Sequence, residues 1–241
     1  MATNIDKKHN EKIYFIRLNL NERIQHGIFF SCFFTLALTG FMIYIPEDIV
    51  ALFGKFGETI FLYRSLVHRI AAVIMVLVCA YHLFYLLFKK TGRLFLVDMF
   101  PRFKDVFDIK DNLLYYIGFK KEAPEFDRFS YKQKAEYGAL IAGNTLMTLS
   151  GLILWFEAYW YKFIIDIAKV VHGMEAVLAC LAIIIWHLYE VHLKPRKFPI
   201  DSLWITGIID EEEMKEEYPM HYKRIMKDPK LKDIFIYKQK N

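Results

Sequence analysis

Four histidines form two matched pairs on two apolar segments of the chain: His68 with His82, and His172 with His187. The members of the pairs are 14 and 15 residues apart, which corresponds to a rise of roughly 21 to 23 Å on an α-helix. At about 100° per residue, they return to within roughly 40° and 60° of the same helix face. Two such helices facing each other would present two His–His pairs at two depths. Facing imidazoles can serve as the two axial ligands of a haem iron, so the spacing predicts two haem b sites.

These segments belong to a set of four that are long and apolar enough to cross a bilayer, whose hydrocarbon core is about 30 Å thick. The chain has 241 residues and is 55% hydrophobic, and its apolar residues are concentrated in these segments. They are Ile24–Ile45, Leu66–Phe88, Tyr137–Phe156 and Val170–Leu193. The sequence therefore predicts an all-α, integral membrane four-helix bundle in the cytoplasmic (inner) membrane. The polar residues before the first segment are not expected to form a cleavable signal peptide.

Lysine and arginine counts predict the orientation, because cytoplasmic segments carry the excess of these residues. The N-terminal tail carries five, residues 89–134 carry eleven and the tail from Lys194 carries eleven, while each remaining loop carries about two. Both termini and the long loop between helices 2 and 3 are thus predicted to be cytoplasmic, an N-in/C-in topology. The predicted organisation is a tail over 1–23, a four-helix domain over 24–193 that includes the loop 89–134, and a tail over 194–241.

Several other classes of protein are disfavoured by the sequence. Cys32, Cys79 and Cys180 lie in three different spans and form no C-x-x-C motif, so disulfides, zinc ribbons and covalently attached c-type haem are not expected. The net charge of +5 follows mainly from the topology. Since no basic and aromatic recognition motif accompanies it, no nucleic-acid partner is predicted. No residue is assigned a catalytic role.

A fifth histidine leaves the ligands of one haem open. In the predicted orientation His68 and His172 lie near the periplasmic end of their spans and would hold the outer haem, while His82 and His187 lie nearer the cytoplasmic end. His26 lies three residues into the first span, also at the cytoplasmic end. It could replace His82 as the partner of His187 at the inner haem, although depth and spacing favour His82.

Glycines on the other two spans are spaced in a similar way. Gly27 and Gly40 in the first span, and Gly138 and Gly151 in the third, are both 13 residues apart. A flat macrocycle inside a helix bundle requires neighbouring helices without side chains at its level, and glycine permits this close approach. Helix packing alone is the alternative explanation. The repeated spacing, close to that of the histidines, favours haem.

Motifs along the spans resemble those of the formate dehydrogenase gamma-subunit and Ni–Fe hydrogenase cytochrome b superfamily. The resemblance covers about Arg23 to Pro199. It lies in Arg23-x-x-His26, Leu38-Thr39-Gly40, His68-Arg69, Ser150-Gly151-Leu152-x-Leu154-Trp155-Phe156, His172-x-x-Glu175-Ala176 and Trp186-His187-Leu188-Tyr189. Three further stretches resemble a branch associated with multihaem c cytochromes in anaerobic respiration: Thr91-Gly92-Arg93, Phe129-Ser130-Tyr131 and Lys134-Ala135-Glu136-Tyr137.

The resemblance implies a diheme cytochrome b in which the outer haem is held by His68 and His172. In the formate dehydrogenase pattern the inner haem would be held by His26 and His187. The additional His82 resembles a ligand of the bc-type cytochrome b, so the choice between His82 and His26 stays open, and a third haem is an open alternative.

These observations predict an electron-transfer subunit of an oxidoreductase complex, with menaquinone or ubiquinone as substrate. The predicted partner is a periplasmic multihaem cytochrome c or another redox subunit, since the chain has no c-haem motif of its own. Quinol oxidation releases protons, and Glu175, Glu136, Glu190 and Asn144 are candidates for handling protons or binding the quinone. The alternatives are a haem-free, histidine-lined transporter and a membrane anchor subunit.

Overall fold

The computed structural model of the chain describes residues 12–195 and 197–239, so the first 11 residues of the predicted N-terminal tail lie outside the described part. Helices dominate it. In chain order the elements are β1 (Lys12–Ile16), α1 (Leu20–Phe41), α2 (Glu47–Leu52), α3 (Gly54–Phe88), α4 (Lys90–Met99), α5 (Phe103–Tyr116), α6 (Tyr131–Trp155), α7 (Lys162–Leu181), α8 (Leu203–Thr206), β2 (Ile208–Asp210), α9 (Glu211–Glu217), α10 (Pro219–Lys227), α11 (Pro229–Phe235) and β3 (Ile236–Gln239). Short 3₁₀ turns follow α1 and α6, and two π-helical segments, Ala182–His187 and Tyr189–Leu193, follow α7.

The chain divides into two compact units. The membrane unit consists of Ile24–Val97 and Lys134–Asp201. The small unit consists, within the described residues, of 12–23, 98–133 and 202–239. The two tails and the central loop were predicted as separate segments. In the structure the two tails share one sheet and one apolar core, and the central loop belongs to the same compact unit.

The four predicted membrane spans are confirmed. The long apolar helical segments are Leu20–Tyr44, Gly54–Phe88, Tyr131–Trp155 and Lys162–Leu193. Three of them begin six or more residues before the predicted apolar stretch; the second, for example, is a helix of 35 residues that starts at Gly54 rather than Leu66. The reason is that hydropathy marks only the part suited to hydrocarbon, while backbone hydrogen bonding carries a helix on through its polar flanks. The fold is an all-α membrane bundle.

Apolar side chains point outward along these helices. Leu77 is 62% exposed, Ile184 61% and Ile185 67%, while the small Ala71 is buried at 6%. A water-soluble domain would bury such residues, because apolar surface is costly in water. Their outward position fits hydrocarbon as the surrounding solvent.

The fourth span changes its winding before His187. It is α-helical to Leu181 and π-helical over Ala182–His187. In a regular α-helix, the 15 residues from His172 to His187 overshoot the starting face by about 60°. A π-turn hydrogen-bonds to the fifth residue and therefore turns less per residue, which brings His187 back toward the face of His172.

The small unit is built on a three-stranded antiparallel sheet in the order β2-β1-β3. Its apolar core is formed by Phe15, Ile209, Met214, Tyr218, Ile225 and Phe235. The central loop contributes α5 over Phe103–Tyr116. Gly118, with φ of +82°, takes the left-handed conformation that ends this helix.

Buried ions join the three segments of the small unit. Arg224 makes a two-pronged pair with Asp98 at 2.7 and 3.0 Å, and Arg128 lies 3.6 Å from the same carboxylate. Arg17 donates to the carbonyl of Arg128, and its guanidinium lies 3.2 Å from Nδ1 of His221. These partners come from all three segments, so the network joins the described parts of the two tails to the central loop.

Candidate functional site

His68 on α3 and His172 on α7 face each other, and we call them the outer pair after the predicted orientation. Their ring centroids are 6.3 Å apart. If both rings held one metal ion, two metal–nitrogen bonds of about 2 Å, plus about 1 Å from each ring nitrogen to its ring centre, would put the ring centroids about 6 Å apart. The outer pair therefore has the separation that bis-histidine ligation of one iron requires.

His26 on α1 and His187 on the π-helical part of the fourth span form a second pair, the inner pair. Their ring centroids are 6.4 Å apart and the rings are inclined by 32°. This separation matches that of the outer pair within 0.1 Å. The structure thus brings together four of the five predicted ligands as two pairs of nearly equal separation.

His82 lies in a different hydrogen-bonded group. Its Nδ1 is 2.6 Å from Oε1 of Gln25, and its Nε2 is 2.8 Å from the hydroxyl of Tyr137. Phe95 packs against the ring edge on, with centroids 6.1 Å apart. Because both ring nitrogens have protein partners, His82 has no nitrogen available for a metal in this arrangement.

Two hydroxyls hold the rings of the outer pair. Thr39 on α1 donates its hydroxyl hydrogen to the carbonyl of Thr35 and accepts a hydrogen bond from Nδ1 of His68 at 2.8 Å. Ser150 on α6 donates to the carbonyl of Leu146 and accepts from Nδ1 of His172 at 2.9 Å. Since each hydroxyl hydrogen is used on the backbone, each Nδ1 must carry the proton, which leaves Nε2 as the basic nitrogen.

Glycine follows both hydroxyl residues and lets the rings approach the helices. A Cβ at Gly40 would lie 3.6 Å from Cε1 of His68, and one at Gly151 would lie 3.3 Å from Cε1 of His172. The other two glycines of the predicted pattern, Gly27 and Gly138, have no neighbour within 4 Å of such a Cβ. The repeated dipeptides Thr39-Gly40 and Ser150-Gly151 were a signal in the sequence, but their role as ring supports was missed.

The inner pair has a different support. Nδ1 of His187 lies 2.5 Å from Oε1 of Glu136 on α6, and both side chains are about one quarter exposed. A carboxylate only accepts, so Nδ1 of His187 also carries its proton and Nε2 is again the basic nitrogen. Glu136 was predicted only as a candidate for proton handling, and its contact with a predicted ligand could not be read from the spacing.

The remaining candidates are placed elsewhere. The carboxylate of Glu175 packs against Gly143 of α6, and Asn144 donates to the sulfur of Cys79 at 2.9 Å. Glu190 forms an ion pair with Lys194 at 2.5 Å. None of these contacts involves a ring of the two pairs.

Basic side chains lie beside the outer pair. Arg64 donates to the backbone carbonyl of Thr39 at 3.1 Å, the residue whose hydroxyl holds His68. Arg69 lies over the ring of Trp155, 5.2 Å from its centroid. Guanidinium groups bind carboxylates in a two-pronged geometry, which suits haem propionates.

Comparison with known proteins identifies the family to which the chain belongs. The sequence profile of the prokaryotic cytochrome b561 family matches residues 17–199, a range that contains all five histidines and all four spans. No curated protein sequence matches the chain. From the matched range, together with the paired histidines on membrane-length helices, the chain belongs to the prokaryotic cytochrome b561 family and is a membrane b-type cytochrome that binds haem b and transfers electrons.

Proposed function

We propose that the chain holds two haems b, one between His68 and His172 and one between His26 and His187. The observation that carries this proposal is the equal separation of the two pairs, 6.3 and 6.4 Å between ring centroids. A chance hydrogen-bonded histidine pair would bring two ring nitrogens within about 3 Å of each other and the rings correspondingly closer. The protonated Nδ1 of three of the four rings supports the same assignment, because it leaves Nε2 free to bind iron.

The two pairs are separated along the membrane normal. His172 and His187 are 15 residues apart on the fourth span, which corresponds to at most roughly 23 Å of helix, since the π-helical segment rises less per residue than an α-helix. This distance covers most of a hydrocarbon core of about 30 Å. Bound haem iron supplies one-electron transfer, so the two pairs together would form an electron path across the bilayer.

We further propose that the electrons pass between the quinone pool, as menaquinone or ubiquinone, and a periplasmic multihaem cytochrome c or another redox subunit. Support comes from the resemblance of the three motifs within residues 91–137 to cytochrome b subunits that are associated with multihaem c cytochromes. The absence of a c-haem motif in this sequence supports the same proposal. The lysine and arginine distribution supports an N-in/C-in orientation with the inner pair toward the cytoplasm.

The first experiment measures haem b per polypeptide by the pyridine haemochromogen assay on the purified protein. We expect two haems in the wild type, one in His26→Ala and two in His82→Ala. The two variants form a matched pair, since both remove a histidine from the cytoplasmic half of the bundle. One haem in His82→Ala and two in His26→Ala would overturn the ligand assignment. A wild-type content of one or three would overturn the two-haem proposal.

The second experiment tests the substrate. Quinol analogues added to membranes that contain the protein should reduce the haem absorbance, and the reduced protein should be reoxidised by an added multihaem cytochrome c. If several quinols fail while dithionite reduces the haems, the quinone part of the proposal is wrong.

A further inference from the structure

The two histidine pairs differ in the charge of the group that holds their rings. At the outer pair both acceptors are neutral hydroxyls, those of Thr39 and Ser150. At the inner pair the acceptor on His187 is the carboxylate of Glu136, at 2.5 Å. All three of these hydrogen bonds involve the Nδ1 atom of a histidine, so the groups differ in charge and not in the ring position that they bind.

We propose that Glu136 sets the reduction potentials of the two haem sites apart by holding the inner site at the lower potential. This inference rests on the proposed ligation of one haem by His26 and His187. Glu136 does not touch the iron; it acts through His187 as a positioning residue.

The physical reason has two parts. An anionic acceptor draws the Nδ1 proton toward itself, which makes the imidazole a stronger electron donor through Nε2. The negative charge, although its side chain is about one quarter exposed, also stabilises the more positively charged ferric state over the ferrous state. Both effects lower the potential of the inner site, whereas a hydroxyl acceptor at the outer site contributes much less to either.

The difference in reduction potential between the two sites favours one direction of electron flow. Because an electron moves spontaneously from a site of lower potential to one of higher potential, the carboxylate favours electron flow from the inner pair to the outer pair. In the proposed orientation this is flow toward the periplasm. The asymmetry therefore fits a protein that takes electrons from quinol and delivers them to a periplasmic acceptor.

The test is an anaerobic redox titration of the purified protein, followed in the haem α-band, for the wild type and for Glu136→Gln. Glutamine keeps an oxygen acceptor of nearly the same size and removes the charge. His26→Ala and His68→Ala identify which component of the titration belongs to which site. We expect Glu136→Gln to shift the ferric–ferrous equilibrium of the inner site about tenfold toward ferrous, which is 59 mV for a one-electron couple. The outer component should not move.

Two further variants separate this hydrogen bond from other effects. Glu190→Gln removes a carboxylate three residues beyond His187 that is already paired with Lys194, and it should shift the inner potential less than Glu136→Gln does. Glu136→Asp keeps the charge on a shorter arm, so its inner potential should lie between those of the wild type and Glu136→Gln. The ferric low-spin electron paramagnetic resonance signal of the inner site should change in Glu136→Gln and stay unchanged in Glu190→Gln.

The outcomes distinguish this inference from the proposed function. Two haems retained with an unchanged inner potential in Glu136→Gln would overturn the role of Glu136 and leave the ligand pairs intact. A haem content other than two in the wild-type protein would instead overturn the proposed function, because it would contradict the two ligand pairs themselves. If Glu136→Gln does not retain the inner haem, Glu136→Asp decides: a raised inner potential supports the inference and an unchanged one refutes it.

Discussion

Histidines of the membrane unit and of the small unit have different surroundings. In the membrane unit, His68 and His172 each have one nitrogen held by a hydroxyl and face another imidazole at 6.3 Å. In the small unit, His221 is fully buried, but its neighbours are Arg17, Arg128 and Arg224. Burial of a histidine therefore does not identify a ligand. The partners of its two nitrogens are the more informative feature, and within the membrane unit both nitrogens of His82 are bonded to protein groups.

The largest expected effect concerns haem content. His172→Ala should remove the outer haem and leave the inner one, because one of the two protein ligands proposed to hold the outer haem is lost. His221→Gln is the control from the small unit and should retain both haems. The pyridine haemochromogen assay measures both. Loss of haem in His221→Gln, or full haem content in His172→Ala, would erase the distinction between the two kinds of histidine.

The second prediction concerns pH and the small unit. Burial, and then the positive charges of the three arginines, lower the pKa of His221 from 6.5 to about 2. Above pH 6.5 the residue is neutral in the folded and the unfolded chain. Below it only the unfolded chain binds the proton, so the stability of the small unit should fall as the pH falls, by about 1.4 kcal/mol per pH unit.

The pH dependence of this stability is measured by urea unfolding of the full chain in detergent between pH 7 and pH 5. Hydrogen exchange of the β1 amides monitors the unfolding of the small unit. His221→Gln lacks the titrating group and should show a flatter profile over the same range. Carboxylate protonation affects both proteins, so the difference between them isolates His221. Parallel profiles would show that His221 accepts a proton in the folded state, against its placement among arginines.

A smaller effect is expected from filling the space beside the outer pair. In Gly151→Ala the new Cβ would lie 3.3 Å from Cε1 of His172, so the ring must shift, while in Gly40→Ala the distance to His68 is an ordinary 3.6 Å. Overpacking of this kind costs about 1–3 kcal/mol. Thermal release of haem should therefore occur at a lower temperature in Gly151→Ala than in Gly40→Ala. Equal behaviour would mean that the closer glycine has no special role in seating the ring.

The smallest effect is expected from the hydroxyl supports. Ser150→Ala removes the acceptor for Nδ1 of His172, and a neutral hydrogen bond contributes about 0.5–1.5 kcal/mol. The outer haem should be retained but released at a slightly lower temperature. Ser150→Thr keeps the hydroxyl and is the matched control. A loss as large as that in Gly151→Ala would show that the hydroxyl, rather than the open space, positions the ring.

Much of the membrane unit could be predicted from the sequence because its signals are local. A run of apolar residues long enough to cross a bilayer identifies a span without knowledge of its neighbours, and all four spans were found in this way. The pairing of His68 with His172 followed from equal depth on two such spans. The ends of the spans were less accurate, because helical hydrogen bonding continues past the apolar stretch, as at Gly54–Tyr63.

The sequence by itself determined the number of spans, the depths of the histidines and the outer pair, since these depend on residue type and helical rise alone. Only the tertiary structure decided which of His26 and His82 faces His187. That choice depends on Gln25 and Tyr137, which occupy the two nitrogens of His82 from two other helices, and on the π-turns that rotate His187. The tertiary structure also decided that the two tails form one sheet in the small unit. There β1 pairs with strands that lie about two hundred residues away, and no local pattern encodes contacts between segments so far apart in the chain.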